Sequence, residues 1–151
     1  MLDLTRETVW GLYALHYLAT RDRLTSAGEI ARRGRIPAGK LEPILRKLRE
    51  AGFLRGRSGH GYALDRPAGT IRVEDVAGLL EDAGSPGPSC MNRFDACPFR
   101  ESCALSPLCQ EAHERTRSAL REFTLADLRK SAPELADCAQ PKKKRKRRAV
   151  S

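Results

Sequence analysis

Residues 26–65 read SAGEIARRGRIPAGKLEPILRKLREAGFLRGRSGHGYALD, and the order of helix and turn signals in them indicates the fold. Ser26 is placed to cap a short helix, Glu29 completes a capping box three residues later, and Gly34 ends the helix. After a tight turn, apolar residues at helical spacing predict a second helix that runs to about Glu50. Two short helices joined in this way indicate a helix-turn-helix.

A basic, glycine-rich segment follows the second helix at residues 53–65. Its apolar ends, Phe53-Leu54 and Tyr62-Ala63-Leu64, flank a centre of Gly, Arg and Ser, which is typical of a β-hairpin with a basic tip. A hairpin in this position makes the motif a winged helix-turn-helix.

Pro43 conflicts with the second helix, because a proline inside a helix removes a backbone hydrogen bond and costs on the order of 3 kcal/mol. We therefore expect one of two outcomes. Either the helix starts later than Pro37, which leaves Pro43 in the first turn, or the helix is kinked.

A winged helix-turn-helix places the N-terminal side chains of its second helix against base edges in the major groove. Lys40 can reach phosphate or guanine there, and Glu42 can accept a hydrogen bond from a cytosine amino group. Residues 21–57 carry eleven Lys/Arg and four Asp/Glu, an excess that favours phosphate binding over the alternative of a merely solvated helix face. The predicted DNA contacts are Ser26, Ala38, Gly39, Lys40, Glu42, Arg46, Arg55, Arg57, Ser58 and His60.

The flanking sequence predicts more helices, so the expected fold class is mainly α with a small β-hairpin wing. Helical periodicity covers about Thr5–Thr20, Val73–Glu81 and Leu108–Phe123, and Thr124 begins a shorter helix. We expect four parts: a winged helix-turn-helix domain at 1–82, a cysteine-rich cluster-binding loop at 83–107, a dimerisation helix with a following short helix at 108–132, and a disordered basic tail at 133–151.

The net charge of +9 is concentrated at one end, because Lys142–Arg148 contribute seven positive charges and leave +2 on the rest of the chain. We interpret this run as a phosphate-binding arm, with coincidence or an expression tag as alternatives. No apolar run reaches the roughly 20 residues of a membrane span. The N-terminus lacks the pattern of a secretory signal. A cytoplasmic protein with no membrane contact is therefore expected.

Four of the five cysteines, Cys90, Cys97, Cys103 and Cys109, follow a C-x6-C-x5-C-x5-C spacing. In a reducing compartment such clusters indicate metal or redox chemistry more than structural disulfides. Zinc knuckles space their cysteines more tightly, and these wide loops suit a multi-atom cluster. A reversible disulfide switch and unliganded thiols stay open. Cys138 has no evident partner and receives no role.

Several segments together resemble the Rrf family of winged-helix regulators, which includes the iron–sulfur sensor IscR, the nitric-oxide sensor NsrR and the iron regulator RirA. The resemblance covers residues 2–130. It is carried by LTRETVWGLYALHYLA at 4–19, the helix-turn-helix at 26–54, RGRSGHGYALDRPAGTIRVEDV at 55–76 and TLADL at 124–128.

This resemblance implies an iron–sulfur cluster, 4Fe-4S or 2Fe-2S, held by Cys90, Cys97 and Cys103. The fourth ligand stays open. Relatives use a histidine or a helix-one carboxylate where this chain has Ser106 and Val9, so the candidates are Cys109, His113, Glu7 or a small molecule. The resemblance also implies a homodimer joined through the long helix and a palindromic DNA operator.

The expected function is therefore a DNA-binding transcriptional regulator, most simply a repressor, whose DNA affinity follows nitric oxide, redox or iron status through the cluster. One alternative is a winged-helix regulator with zinc or a thiol/disulfide switch and no cluster. Another is an iron–sulfur carrier or electron-transfer protein whose basic surface docks an acidic partner. An enzyme is not expected, because the chain lacks a paired-carboxylate, Ser/His/Asp or phosphate-loop arrangement.

Overall fold

The protein is represented by a computed structural model, which describes residues 4–81 and 97–131 of the 151-residue chain. The predicted fold class is confirmed, since the described residues are mostly helical with one two-stranded antiparallel hairpin. The elements are α1 (Arg6–Ala19), α2 (Ala27–Gly34), α3 (Ala38–Glu50), β1 (Leu54–Arg57), β2 (Gly61–Leu64), a 3-10 turn (Ala68–Thr70), α4 (Val73–Glu81), α5 (Ser106–Glu122) and α6 (Leu125–Ser131). Cys90, the glycine–proline segment at 84–89 and the basic tail lie outside the described residues, and the division into four parts stays a prediction.

Helix α1 lies at the centre of the molecule and packs against α2, α3, α4, α6 and the hairpin. Its residues Ala14 and Leu15 are fully buried in the hydrophobic core, Trp10 packs in the same core, and His16 is buried as well. Burial of this apolar surface holds α2, α3 and the hairpin around α1.

The turn between α2 and α3 begins where the sequence predicted, because α2 ends at Gly34. Gly34 is the last helical residue, and Arg35 takes the left-handed conformation at φ 52°. The Ile36 N–H donates to the Ala31 carbonyl at 2.9 Å, and the Ile36 side chain is buried. Gly34 is also required for packing, because a Cβ there would lie 2.5 Å from Cε1 of Tyr13.

The predicted capping box at the start of α2 forms only in part. Ser26 accepts a hydrogen bond from the Glu29 N–H at 3.2 Å, as expected. The Glu29 carboxylate, however, accepts from Arg23 at 2.9 Å and from the Tyr17 hydroxyl at 3.0 Å. These charged and phenolic donors hold the pKa of Glu29 below its usual range and attach α2 to the end of α1.

Pro43 lies inside α3, so the expectation that a later helix start would place it in the first turn is wrong. The helix begins at Ala38, and Pro43 is its sixth residue. A proline at this position deprives the carbonyl four residues earlier of its partner, and that carbonyl belongs to the exposed Gly39. Because Gly39 faces solvent, water can replace the missing hydrogen bond.

The wing is a short hairpin whose register pairs Leu54 with Leu64 and Arg57 with Gly61. Thr25, just before α2, extends it: the Thr25 N–H donates to the Tyr62 carbonyl at 2.9 Å and the Tyr62 N–H donates back at 2.8 Å. This third pairing was not predicted from the sequence. It fixes the wing beside the first helix of the helix-turn-helix.

The C-terminal end of α5 returns to the winged-helix body at the start of α4. The Val73 N–H donates to the Phe123 carbonyl at 2.9 Å, and the Leu125 N–H donates to the Ile71 carbonyl at 2.8 Å. The Thr124 side chain then caps α6, since Thr124 and Asp127 exchange hydrogen bonds in a reciprocal capping box. This return fixes one end of α5 to the body.

The Gly34 contact predicts a destabilising substitution. We expect Gly34→Ala to lower the free energy of unfolding by about 1–3 kcal/mol, because the added methyl group must displace the Tyr13 ring. Gly78→Ala is the matched control, since Gly78 is helical, exposed and has nothing within 4 Å of its added Cβ. It should raise stability by roughly 0.5–1 kcal/mol through helix propensity. Urea unfolding measures both, and equal effects would contradict the packing role of Gly34.

The ion pairs of Glu74 predict an acid-dependent stability. Hydrogen bonds from Arg121, and then from Arg117, lower the pKa of Glu74 from 4.5 to about 2. Its stabilisation is therefore complete above about pH 5 and is lost as pH falls toward 2. We expect Glu74→Gln to lower the free energy of unfolding by roughly 1–3 kcal/mol at pH 7. That deficit should shrink progressively in urea titrations at lower pH.

The matched control for this titration is Glu111→Gln, which removes a carboxylate whose i,i+4 partner is Arg115 and whose side chain is 56% exposed. An exposed helical pair of this kind contributes only about 0.3–0.5 kcal/mol. A deficit for Glu74→Gln that did not change with pH would show that the loss is one of packing and not of charge.

Candidate nucleic-acid interface and cysteine segment

Helix α3, the second helix of the helix-turn-helix and its predicted recognition helix, has one buried face and one exposed face. Leu41, Ile44, Leu45 and Leu48 are buried against the core. Ala38, Gly39, Lys40 and Arg46, all predicted DNA contacts, are exposed. The helix therefore presents its N-terminal small residues and its cationic side chains outward together.

The first turn of α3 is open at its N-terminus. Pro37 occupies the N-cap position, and its side chain has no group that could accept from the helix N–H groups. A Cβ added to Gly39 would have no atom within 4 Å. The positive end of the helix dipole therefore faces the same exposed surface as Lys40, which favours an anionic partner.

Glu42, predicted to accept from a cytosine amino group, is engaged within the protein. The Tyr62 hydroxyl donates to its carboxylate at 3.0 Å, and Tyr62 is only 2% exposed. Burial and the hydrogen bond to Glu42 raise the pKa of Tyr62. Glu42 therefore links the recognition helix to β2 of the wing, and its contact with a base stays a prediction.

The wing tip carries the predicted contacts Arg55, Arg57, Ser58 and His60, and all four are exposed. The Arg57 guanidinium lies against the His60 ring, with Nε 3.3 Å from Nδ1 and Nη2 3.2 Å from Nε2. Gly59, between them, has φ 80°, a conformation that a larger residue rarely adopts. The tip thus holds two nitrogen-rich side chains together at the end of the hairpin.

The predicted contacts therefore lie on three neighbouring parts of one body. Ser26 begins α2, the exposed α3 residues follow the turn, and the wing is fixed to both by Thr25 and Tyr62. The sequence did not reveal Thr25 or Tyr62 as organising residues. A strand-like residue directly before a helix cap was the available signal for Thr25.

The described part of the cysteine segment is a short turn that leads into α5. The Cys103 N–H donates to the Phe99 carbonyl at 2.8 Å, and the Ser106 N–H donates to the Cys103 carbonyl at 3.0 Å. Cys97 is half-buried and Cys103 is exposed. These two predicted ligands therefore stand at the two ends of one turn immediately before α5.

The candidates for a fourth ligand lie in different environments. Cys109 is buried on α5, and His113 is half-buried one turn later on the same helix. Glu7 is exposed in the first turn of α1. Residues 4–81 and 97–131 contain no group of three side chains placed to bind one metal ion, and Cys90, the third predicted thiolate, lies outside them.

The thiols of Cys97 and Cys103 nonetheless fit an iron–sulfur cluster by chemical type, because cysteine sulfurs are its usual donors. The Cys103 carbonyl accepts from the N–H of Ser106, the first residue of α5, and Cys103 is open to solvent. The described residues thus supply two accessible soft donors. The complete ligand set stays a prediction.

Helix α5 carries charged residues along most of its surface and apolar residues near its two ends. Leu105 and Leu108 at the start and Phe123 just after its end are 53–61% exposed. Near the middle of the helix, Glu111 pairs with Arg115. An apolar surface left open on a helix is typical of a protein–protein interface.

Glu74 on α4 binds two arginines of α5 in a nearly buried site. Arg117 Nε donates to one carboxylate oxygen at 2.9 Å, and Arg121 donates to both oxygens at 2.7 and 3.0 Å. The Glu74 side chain is 11% exposed. The sequence signal for this contact was the pair of arginines one helical turn apart, which the periodicity analysis passed over.

Comparisons with known proteins agree with this architecture. A profile of the Rrf2 family, described as iron-dependent transcriptional regulators, matches residues 4–131. The protein aau3 of Rhizobium meliloti (strain 1021) is 32% identical over 139 residues, 89% of each chain.

Two solved structures share the fold. IscR of T. potens aligns with a TM-score of 0.66 at 24% identity, over 87% of this chain and 88% of that one. An oxidised form of Staphylococcus aureus CymR aligns with a TM-score of 0.63 at 24% identity, over 84% and 95%.

No helix in the described part of the chain is long and apolar enough to cross a membrane. The family profile spans both described segments, and its members are transcriptional regulators with the winged-helix body found here. The chain belongs to the Rrf2 family of iron-dependent transcriptional regulators.

Proposed function

We propose that this regulator binds a palindromic DNA operator as a homodimer and that an iron–sulfur cluster controls its affinity. The observation that carries the DNA part is the open N-terminal turn of α3, which stands with Lys40 beside a cationic wing. The proposal places the protein in the cytoplasm, assigns it no enzymatic activity, and makes it most simply a repressor.

Each protomer would read one half-site with α3 in the major groove. Small residues at Ala38 and Gly39 let the backbone approach base edges, while Lys40 reaches guanine or phosphate. Arg46, Arg55 and Arg57 are exposed and would contact phosphates, which supplies affinity without sequence information. Ser58 and His60 would follow the wing into the neighbouring groove or backbone.

Dimerisation would cover the apolar residues at the ends of α5. Leu105, Leu108 and Phe123 are more than half exposed in the single chain. Pairing of two α5 helices would bury these side chains and place two reading heads on opposite sides of a two-fold axis. A two-fold protein reads a palindromic operator, with half-sites about one helical turn apart.

The cluster would be held by Cys90, Cys97 and Cys103. Such a cluster supplies a centre sensitive to nitric oxide, oxygen and iron supply. Cys97 and Cys103 bracket the turn before α5, so holding both sulfurs in place fixes that turn and the start of the helix. Of the candidates for the fourth position, Cys109 is buried and therefore suited to packing, whereas Glu7 is exposed.

A thiol/disulfide switch is a second candidate, and the exposure of Cys103 favours it. The related fold of CymR has been observed in an oxidised form. In this reading Cys103 and a second cysteine each lose a proton and an electron to an oxidant, such as a peroxide, and form one S–S bond. A zinc-bound regulator and an iron–sulfur carrier are the remaining alternatives.

Binding titrations test the roles of the cations. We expect Lys40→Ala to reduce affinity for the operator about 5- to 150-fold, with little change for random DNA, because Lys40 reaches base edges. Arg46→Ala should weaken binding to both DNAs and reduce the salt slope by roughly 0.9, because it removes one phosphate contact. Fluorescence anisotropy at several salt concentrations measures both quantities.

Arg115→Ala is the control for these titrations, since Arg115 is exposed on α5 and pairs with Glu111 away from the reading surface. It should leave both affinities unchanged. Equal losses for Lys40→Ala on operator and random DNA would remove Lys40 from base recognition, and a wild-type protein that prefers no sequence would contradict the proposed function.

Iron and sulfide counted per chain after anaerobic purification test the cluster. We expect wild type to carry both, and Cys97→Ser to lose most of each, because a thiolate ligand is removed. Cys138→Ser is the control and should retain wild-type content. Cys109→Ser should retain it as well if Cys109 serves only in packing.

The contradictory results for the cluster are distinct. Unchanged iron in Cys97→Ser would remove Cys97 from the ligand set. Iron-free wild-type protein that still binds its operator would end the cluster proposal and leave the thiol or zinc alternatives. Quantified free thiols before and after oxidation, together with zinc analysis, then separate those two.

A further inference from the structure

Helix α5 is attached to the reading head at one end. Its C-terminal end is bound by the backbone hydrogen bonds of Val73 with Phe123 and of Leu125 with Ile71, at 2.9 and 2.8 Å. The Arg72 guanidinium adds a hydrogen bond to the Arg121 carbonyl at 3.3 Å. Backbone bonds of this kind fix a position at the end of the helix but leave its direction adjustable.

Glu74 supplies a contact that constrains direction. It binds Arg117 and Arg121, which lie one helical turn apart on the same face of α5. Arg121 approaches with two nitrogens, and such forked guanidinium–carboxylate contacts are geometrically specific. Because two arginines along the helix axis bind one nearly buried carboxylate, they fix the direction of α5 relative to the winged-helix body.

The other half of α5 lies away from this grip. Arg117 follows Cys109 by eight residues, which is about 12 Å along a helix. The cysteine turn and the exposed Leu105 and Leu108 lie still further toward the N-terminal end. A small change of angle at Glu74 is therefore amplified along α5 toward the surface through which two protomers would pair.

We propose that Glu74 is a specificity-determining positioning residue, whose grip on Arg117 and Arg121 sets the distance between the two DNA-reading heads. This inference rests on the proposed function, in which two heads joined through α5 read two half-sites. Glu74 itself touches no DNA in this proposal. It selects operators by the spacing of their half-sites.

The probe for the test is double-stranded DNA selected by the wild-type chain from a random pool, remade with the spacer between half-sites shortened or lengthened by one or two base pairs. Each added base pair rotates one half-site by about 35° relative to the other. We expect wild-type affinity to fall about tenfold for a one-base-pair change and Glu74→Gln to lose less than about threefold. Affinity for a single half-site should be the same for both proteins.

Glu81→Gln is the matched control on the same helix. The Glu81 carboxylate accepts from the Thr5 N–H at 2.8 Å and from the Thr8 hydroxyl at 2.7 Å, so it binds α1 and not α5. We expect Glu81→Gln to lose about as much stability as Glu74→Gln. Its affinity should nevertheless depend on half-site spacing as in the wild-type protein. This control separates a general loss of stability from a change in head spacing.

Arg121→Gln gives a second route to the same result. The Arg121 side chain is 54% exposed, and its substitution leaves Glu74 with Arg117. We expect Arg121→Gln also to lose less affinity than wild type when the spacer between half-sites changes length. This variant provides the test if Glu74→Gln fails to fold.

A folded Glu74→Gln or Arg121→Gln protein with the wild-type spacing profile overturns the inference and leaves the proposed function standing. A flattened profile in Glu81→Gln overturns it too, because the effect would then follow stability alone. A wild-type chain that selects no sequence from the pool contradicts the proposed function itself. A wild-type chain that selects single half-sites without a preferred spacing contradicts the two-headed arrangement and with it the role of Glu74.

Discussion

The proposed DNA-reading surface depends on one buried side chain, Tyr62. Its backbone pairs with Thr25 ahead of α2, its ring is buried in the core, and its hydroxyl donates to Glu42 on α3. One residue thereby joins the wing, the first helix of the motif and the recognition helix. A winged helix reads DNA only if these three parts keep fixed relative positions, and a short hairpin is not stable without such packing. Tyr62 therefore keeps the elements that carry the exposed cations in fixed relative positions.

Much of the fold could be predicted because local signals decide helix positions. Apolar spacing and caps placed α1, α3 and α4 within about two residues of their observed bounds. What the sequence did not reveal is the surroundings of individual side chains, because a local pattern does not show tertiary partners or exposure. Gly34 ends α2 as predicted, but the sequence did not show that it also packs against Tyr13. Glu29 looked like half of a capping box, but Arg23 and Tyr17 offered it stronger donors. Pro43 was expected in the first turn of α3 or at a kink, and it is the sixth helical residue, where the carbonyl that loses its partner belongs to the exposed Gly39.

The candidate site was predictable to a similar degree. The exposed positions of α3 and the wing followed from composition and order, since a recognition helix must bury one face and leave the other open. The connection between Glu42 and Tyr62 did not, because a carboxylate at the start of a basic helix gives no sign of an internal partner twenty residues away. Likewise, Glu74 stands between Val73 and Asp75 at the start of α4, and its partners lie more than forty residues further along. Long-range polar contacts have no period in the sequence, so only the folded structure reveals them.

Helix α4 occupies a position that explains how these long-range contacts act together. Its last residue, Glu81, holds the start of α1 through Thr5 and Thr8, while its second residue, Glu74, holds α5. The segment that carries Cys90 begins directly after Glu81, and the chain returns to α5 through the turn that carries Cys97 and Cys103. The cysteine segment therefore connects the end of α4 to the start of α5, while Glu74 near the start of α4 binds the C-terminal half of α5. Under the proposed function, any change in the shape of that segment acts between the fixed end of α4 and the N-terminal end of α5. Because Glu74 binds α5 near its opposite end, such a change would act against the contacts with Arg117 and Arg121 that fix the direction of the helix.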